Sequence, residues 1–542
     1  MTTALSVFQG VNAEDIEFIT APSGKQTRPF IEPLTFAPEP EAVESAKDLP
    51  EKSLRDELVA IYFRHVHPLL PVIDEYEFVR IYKSCSNEDE LSQQFDIMLF
   101  QAMMFMAFAY MAEDQLARTP YESIPQAQKD MMEKVKILYS LRSTTDPIVL
   151  TQVCLLLTFW SPYDSDTQVN CYWVDRAFHH ARTGRIWDPD NDSGTMHSRN
   201  KIIWWCCLNR DRQTSFALRR LHRMRENDSA WTHVTELDFG AEAFMPSFTD
   251  IEGKKAIISA FIWLCKLGDL IAEIGMFQLH SLLARGQAGD TTDLMAEMTR
   301  ISDFEYQLQS WRKQFMNDNQ PYLEKPMPQI SKVTLLFLQV IHASLVTALY
   351  RPYLHISSRD GLFESSIQTM TLRKMKETSP KLIKRFVKMI SHTPIQDIPL
   401  AVVAWINFPF AVCQLGHHFN HKDPYLPTAM QMEEVMSFFR AFSRRFSGAL
   451  TSTTMMRAVG HLLEGKKPSE EGERLGKRRR TSVDTGVFKR TAAIGDHNDT
   501  GLDTDDETRL LDVIAGFIDL SLAADDNIPA EAYGTVSDRS WH

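Results

Sequence analysis

The sequence predicts an all-α fold: a large multi-helix regulatory body with a disordered N-terminal arm and a disordered C-terminal tail. Three observations predict it. Apolar residues recur with the helical period from Ser53 to about residue 464, as at Leu54, Leu58 and Ile61. No run alternates like a half-buried strand, and there is neither a fixed-period repeat nor a βαβ rhythm. Glycine is scarce, at 22 of 542 residues, which disfavours a turn-rich β fold, whereas 24 Met and 32 Phe suit helix interiors.

The elements follow in order. Residues 1–52 are polar and carry Pro22, Pro29, Pro33, Pro38, Pro40 and Pro50, the composition of a mobile arm. The helical body is expected over 53–464. Its first helix runs into "YFRHVHPLLPVIDEYEF" and must end near His67-Pro68, because a residue before proline avoids the α region. Asp74, three residues before Glu77, then reads as the cap of a second helix. His65 and His67 suit the bare carbonyls at the first helix's end. No Cys, Asp or Glu has a ligand-like spacing around them, so no metal site is expected.

Further on, Asp146 and Pro147 open an apolar helix in "DPIVLTQVCLLLTFW". Gly184 is placed to close the helix of "TQVNCYWVDRAFHHARTGRI". "SRNKIIWWCCLNRDRQTSFALRR" continues the pattern, and long periodic runs lie near 254–285, 291–316, 328–355, 365–392, 397–421 and 428–446. The apolar stretch Ile97 to Ala112 is interrupted by Gln101 and falls short of the roughly 18 to 20 residues that span a bilayer. It reads as a core helix, and no membrane association is expected. Residues 465–507 form a basic, then acidic, linker, and 508–542 an acidic–hydrophobic helix and tail.

The net charge of −13 argues against a surface coated in basic residues for wrapping nucleic acid. The seven cysteines show no C-x-x-C spacing and sit mostly in apolar runs, so buried thiols are expected. No signal peptide is evident at the N-terminus.

Candidate chemistry is sparse. The phosphate-loop, dinucleotide, zincin and nucleophile-elbow patterns are all missing, and no enzyme is expected. His417 and His421 share a helix face but lack a glutamate or third ligand. Asp211 places a carboxylate on the apolar stripe of Trp204, Leu208 and Ser215. It is either a catalytic acid in a pocket or half of a buried salt bridge, with Arg182, Arg212, Arg219 and Arg220 as candidate partners. Lys477, Arg478, Arg479 and Arg480, with Lys489 and Arg490 about ten residues on, read as a bipartite nuclear-import signal, a nonspecific phosphate contact or a solvated charge run. The tail's acids interleave with Leu, Ile and Phe. That composition suits an activation segment that folds in a partner's groove, or a helix that packs back on its own body.

Taken together, these stretches resemble the regulatory "middle homology", or fungal-specific transcription factor, domain of fungal zinc-cluster regulators. "LVAIYFRHVHPLLPVIDEYEF" is similar to the domain's opening, carried by Tyr62, Phe63, His67, Pro68, Pro71, Val72, Ile73, Asp74 and Phe78. "QVCLLLTFW", "CYWVDRAFHHARTGRI", "IIWWCCLNRDRQTS" (with Trp204, Trp205, Asp211 and Arg212) and "VTELDF" resemble later stretches, in the family's order. "LVTALYRPYL" resembles a late helix bearing an Arg-Pro pair, here Arg351 and Pro352. The resemblance spans most of residues 54 to 355 and is close to the cutinase-activator type. It implies structural roles for these residues and a transcription-regulatory role in the nucleus.

The sequence departs from the family in three places. No cysteine precedes Cys85, so the ligands of the family's two-zinc cluster are lacking and no cofactor is expected. "FALRRLHRMREN" stands where a Gly-Arg-Pro is common, and the basic cluster lies towards the C-terminus. The resemblance therefore implies either a regulator that reaches DNA indirectly, through a zinc-cluster transcription factor or co-regulator with which it could dimerise, or a chain whose cluster-encoding start is missing. Its helical body would hold a partner or a small-molecule effector, and its tail would recruit transcription machinery as an activator. The alternative is an effector-binding or scaffold protein with no role at DNA.

Overall fold

The computed structural model describes residues 39–160, 170–191, 197–218, 222–223, 231–246, 248–286, 294–355, 362–420 and 422–463, and positions 507, 510, 511, 514, 515 and 518. No strand occurs among the described residues, and the all-α class holds. The N-terminal half contains α1 (Pro40–Lys47), α2 (Lys52–Ile61), α3 (Glu75–Ser84), α4 (Glu88–Gln94), α5 (Ile97–Phe108), α6 (Glu113–Leu116), α7 (Ile124–Ser140), α8 (Pro147–Leu157), α9 (Asn170–Thr183) and α10 (His197–Leu218). Long helices follow: α11 (Ile251–Gly286), α12 (Leu294–Glu324), α13 (Gln329–Ala348), α14 (Leu362–Ser391), α15 (Val402–Asn420), α16 (Ala429–Phe442) and α17 (Ser447–Leu463).

Short-range chemistry starts many of these helices. The Asp74 carboxylate accepts from the Glu77 N–H at 2.9 Å, Asp96 from Leu99 at 3.0 Å and Asp146 from Ile148 at 2.8 Å. Each such cap stabilises its helix by about 1 kcal/mol. Glu77 does not complete a capping box, because its carboxylate pairs with Arg80.

At the end of α9, Ile186 N–H donates to Ala181 and Arg185 N–H to Arg182, the Schellman pattern. The left-handed residue of that motif is Arg185, with φ of 49°, rather than Gly184. Gly184 is needed for a different reason: a Cβ there would lie 2.9 Å from Pro147 at the start of α8.

One continuous apolar core includes residues from Ala46 to Ile518. All of Met98 to Phe108 in α5 is buried in it. Gln101, the polar interruption in this helix, donates to the carbonyls of Ala46 and Asp48 at 3.2 and 2.8 Å. That bond and the packing of α1 on α7 correct the arm's expected boundary: residues from Pro40 onward belong to the helical body. A second apolar segment, Gln329–Leu354, is long and apolar enough to cross a membrane, but 78% of its apolar window is buried by neighbouring helices. The cysteines are free thiols, six of them buried and Cys85 half-buried.

Candidate regulatory site behind the proline corner

The histidine–proline stretch forms a corner, with a charged network packed behind it. α2 ends in a π-turn, Tyr62–Val66, whose wider winding leaves carbonyls to satisfy. His65 meets two of its needs: Nδ1 bonds the Ile61 carbonyl at 3.0 Å and Nε2 bonds Asp397 at 2.9 Å. Tyr62 and Phe63 turn into the core, where Phe63 packs on Phe78 and stacks on Phe248 with ring centres 5.0 Å apart.

After the turn over residues 67–69, the carbonyls of Pro71, Val72 and Ile73 meet no backbone N–H among the described residues. Side chains from distant helices supply their partners. Gln152 of α8 donates to the Val72 carbonyl at 2.6 Å. Arg199 of α10 donates to the carbonyls of Pro71 and Ile73 at 3.0 and 3.3 Å. The same guanidinium pairs with Glu242 at 2.7 Å and with Asp74 at 3.0 Å.

Glu242 is the hub. It comes from the 3-10 segment Glu236–Phe244, and its two oxygens take three partners. One accepts from His67 Nε2 at 2.7 Å. The other accepts from Arg199 and from the Glu75 N–H at the start of α3. Burial by itself would push this carboxyl up, but the cationic surroundings of His67 and Arg199 outweigh it and hold the group at about 2. Glu75 in turn pairs with Lys254 of α11 at 2.6 Å.

His67, Glu75 and Glu242 thus place one donor atom each within 4.8 Å of one another, all buried. Sequence spacing gave no hint of this, because the acids approach from other elements. The set does not fit a metal. Its two carboxylates already contact the fixed cations Arg199 and Lys254, which compensate them and would repel a divalent ion. The network reads as a latch that fixes the corner between α2 and α3 to α10, α11 and the Glu236–Phe244 segment.

Asp211 lies on the next turns of α10 and is buried. Its partner is Arg223, and none of the candidates proposed from sequence is paired with it among the described residues. Arg223 donates from Nη1 at 2.7 Å and from its backbone N–H at 2.6 Å, and it also binds Asp175 of α9. Arg212 instead pairs with Asp269 of α11 at 2.7 Å. Arg219 and Arg220 lie outside the described residues. Asp211 therefore joins α9, α10 and the chain that follows, the salt-bridge alternative rather than a catalytic acid in a pocket. Trp204 is fully buried, and Trp205 donates its indole N–H to the Thr232 carbonyl at 3.0 Å.

Residues 59–315, which hold both networks, match the fungal specific transcription factor domain. The chain is 31% identical over 194 residues to a transcription factor of Fusarium pseudograminearum, a stretch covering 35% of this chain and 21% of that protein. Identity to cutinase transcription factor 1 beta of Fusarium vanettenii is 25% over 219 residues, 40% of this chain and 24% of the relative. The transcription factor cpaR of Aspergillus oryzae is 26% identical over 336 residues, 56% and 54% of the two chains. The chain thus matches between a fifth and about half of these relatives' lengths.

Within the matched residues, His67, Pro68, Pro71 and Asp74 build the latched corner, and Asp211 the second lock. Arg199, Glu242 and Lys254 complete the first and Arg223 the second; none of these four was singled out from sequence. The only signal for Arg199 was a basic residue just ahead of the apolar turn "IIWW".

Arg351 and Pro352 lie beyond the matched residues, in the 3-10 segment Arg351–His355. Arg351 stacks over Phe408 and donates to the Ala515 carbonyl at 2.7 Å. Leu511, Ile514, Ala515 and Ile518 are fully buried on the body, and Glu507 pairs with Lys376 of α14 at 2.8 Å. At these positions the tail packs back on its own body. Lys477 to Arg480, Lys489, Arg490 and His421 lie outside the described residues, and His417 is bonded to the Pro427 carbonyl at 2.6 Å.

Proposed function

We propose that this chain is a nuclear transcription regulator whose helical body is the regulated unit and whose C-terminal segment is its output. The docking of Leu511, Ile514, Ala515 and Ile518 on the body carries this reading. An acidic segment with an apolar stripe can engage a co-regulator only when that stripe is free. Its burial makes the body a competitor for the same face, so whatever loosens the dock raises output. In this reading DNA is reached through a partner, a zinc-cluster transcription factor or another co-regulator, and Lys477 to Arg480 direct import. The domain match and the relatives described as transcription factors support the regulatory role.

Chromatin occupancy of the tagged chain, with Lys477 to Arg480 intact or changed to alanine, tests the proposal. Discrete occupied sites that vanish with the basic cluster are expected. A protein that stays in the cytosol in both forms, with no occupancy, refutes it.

A further inference from the structure

Beneath the corner lies a cavity of about 40 Å³ that neither network uses. By the rule that about 10–15 Å³ admits one water, it holds roughly three or four water-sized groups. Its walls come from the turn at His65–Leu70, from Met106 and Tyr110, from α10, and from Phe337 and Leu400. No carboxylate lines it.

Arg210 of α10 does line it, and it makes no ion pair among the described residues. Arg55, Arg199, Arg212 and Arg223 each meet a carboxylate. Arg210 meets neutral groups alone among the described residues. Its Nε donates to the Thr158 hydroxyl at 2.7 Å, its Nη2 to the Thr158 carbonyl at 2.9 Å, and the guanidinium sits 3.8 Å over the Phe159 ring. These contacts leave Nη1 uncommitted. The Arg210 side chain is half-buried with no counter-charge beside it, and burial pushes its guanidinium down to about 10.

Two other polar side chains on the wall can donate, while Asn209, also on it, gives its amide N–H to Cys265 Sγ at 3.3 Å and keeps an acceptor oxygen without a partner among the described residues. The Tyr110 hydroxyl accepts from the Leu400 N–H at 3.2 Å, and among the described residues its own proton has no acceptor. The Gln213 side-chain amide makes no hydrogen bond among the described residues. His65 is already tied at both ring nitrogens. The remaining wall is largely apolar, including Leu70, Met106 and Phe337.

We propose that this cavity is a binding site for a short-chain monocarboxylate of about four to six heavy atoms, matched to the space for three or four water-sized groups. The carboxylate would supply the counter-charge to Arg210 and accept from Tyr110 and Gln213, and the short alkyl part would fill the space against Leu70 and Met106. The site touches the π-turn and α10, so occupancy would bear on the same corner that the Glu242 latch holds. Its regulatory meaning rests on the function proposed above; binding itself does not.

Calorimetric titration of the purified full chain with sodium propionate tests it. Sodium chloride at equal ionic strength, propionamide and hexanoate serve as controls. Saturable binding of propionate is expected, with propionamide and hexanoate at least tenfold weaker and chloride silent. Arg210→Gln and, independently, Gln213→Leu should each weaken propionate binding, the first by tenfold or more. Binding of propionamide as tight as propionate overturns the proposal, as does an absence of propionate heat beyond the chloride control. Undiminished affinity in a folded Arg210→Gln chain also overturns it. Failure here with chromatin occupancy intact leaves the regulator reading standing, and binding without occupancy does the reverse.

Discussion

Arg199 and Glu242 meet at 2.7 Å inside the body, each with less than a tenth of its surface exposed. One guanidinium closes the carbonyls of the proline corner, and one carboxylate closes His67 and the first N–H of α3. Breaking a buried pair from one side leaves an uncompensated charge, at about 3–5 kcal/mol. Arg199→Met should therefore cost about that much in urea unfolding at neutral pH. A loss below about 1 kcal/mol, the scale of an exposed pair, would sink the latch.

The same carboxylate sets an acid limit. The Glu242 group is held at about 2 in the fold, against an ordinary 4.5. A depressed folded value means the unfolded chain takes the proton more readily. The stabilisation is complete above pH 4.5 and is lost as pH falls towards 2. The stability gap between the native chain and Glu242→Gln should therefore shrink between pH 5 and pH 3. A gap that stays constant over that window would assign the variant's loss to packing instead.

Asp211 should behave as a lock. Asp211→Asn keeps shape but removes the charge that Arg223 faces through two donors. A loss of about 3 kcal/mol or more is expected, recovered in part by Arg223→Met in the same chain. Two additive losses in the double-mutant cycle would mean that the two groups do not depend on one another.

Release of the tail should be visible as output. With the chain fused to a heterologous DNA-binding module, Ile514→Asp together with Ile518→Asp should raise reporter expression about fivefold or more, the scale of an ordinary coupling free energy. Limited proteolysis should cut the tail first and leave the body whole. Unchanged expression with a tail that has become protease-sensitive would show that docking does not restrain activity.

What could be read from the sequence was short-range. Asp74 and Asp146 announce themselves within a few residues, and each caps its helix as expected because capping is a local bond. The helix does end near Pro68, but His67 keeps helical φ and ψ of −53° and −38°, where a residue before proline was expected to avoid them. The long helices follow from periodicity. The partners of His67 and Glu75 could not be read, because Glu242 and Lys254 are brought in by the chain's return path. Arg212, Arg219 and Arg220 were candidates because they neighbour Asp211 in sequence, whereas the true partner is Arg223, past the end of α10. Gln101 looked like a break in an apolar helix, but it clamps α1, and this moved the edge of the body to Pro40.

His67 waits for Glu242, 175 residues further along the chain. A ribosome adding about 5–20 residues per second needs roughly 10–35 s to deliver that acid. Through that interval α2, the corner and, once made, the oily α5 have no latch to close. Newborn chains are therefore expected to engage chaperones that shield apolar helices. A message cut short before codon 242 would yield a fragment that quality control removes rather than a smaller regulator.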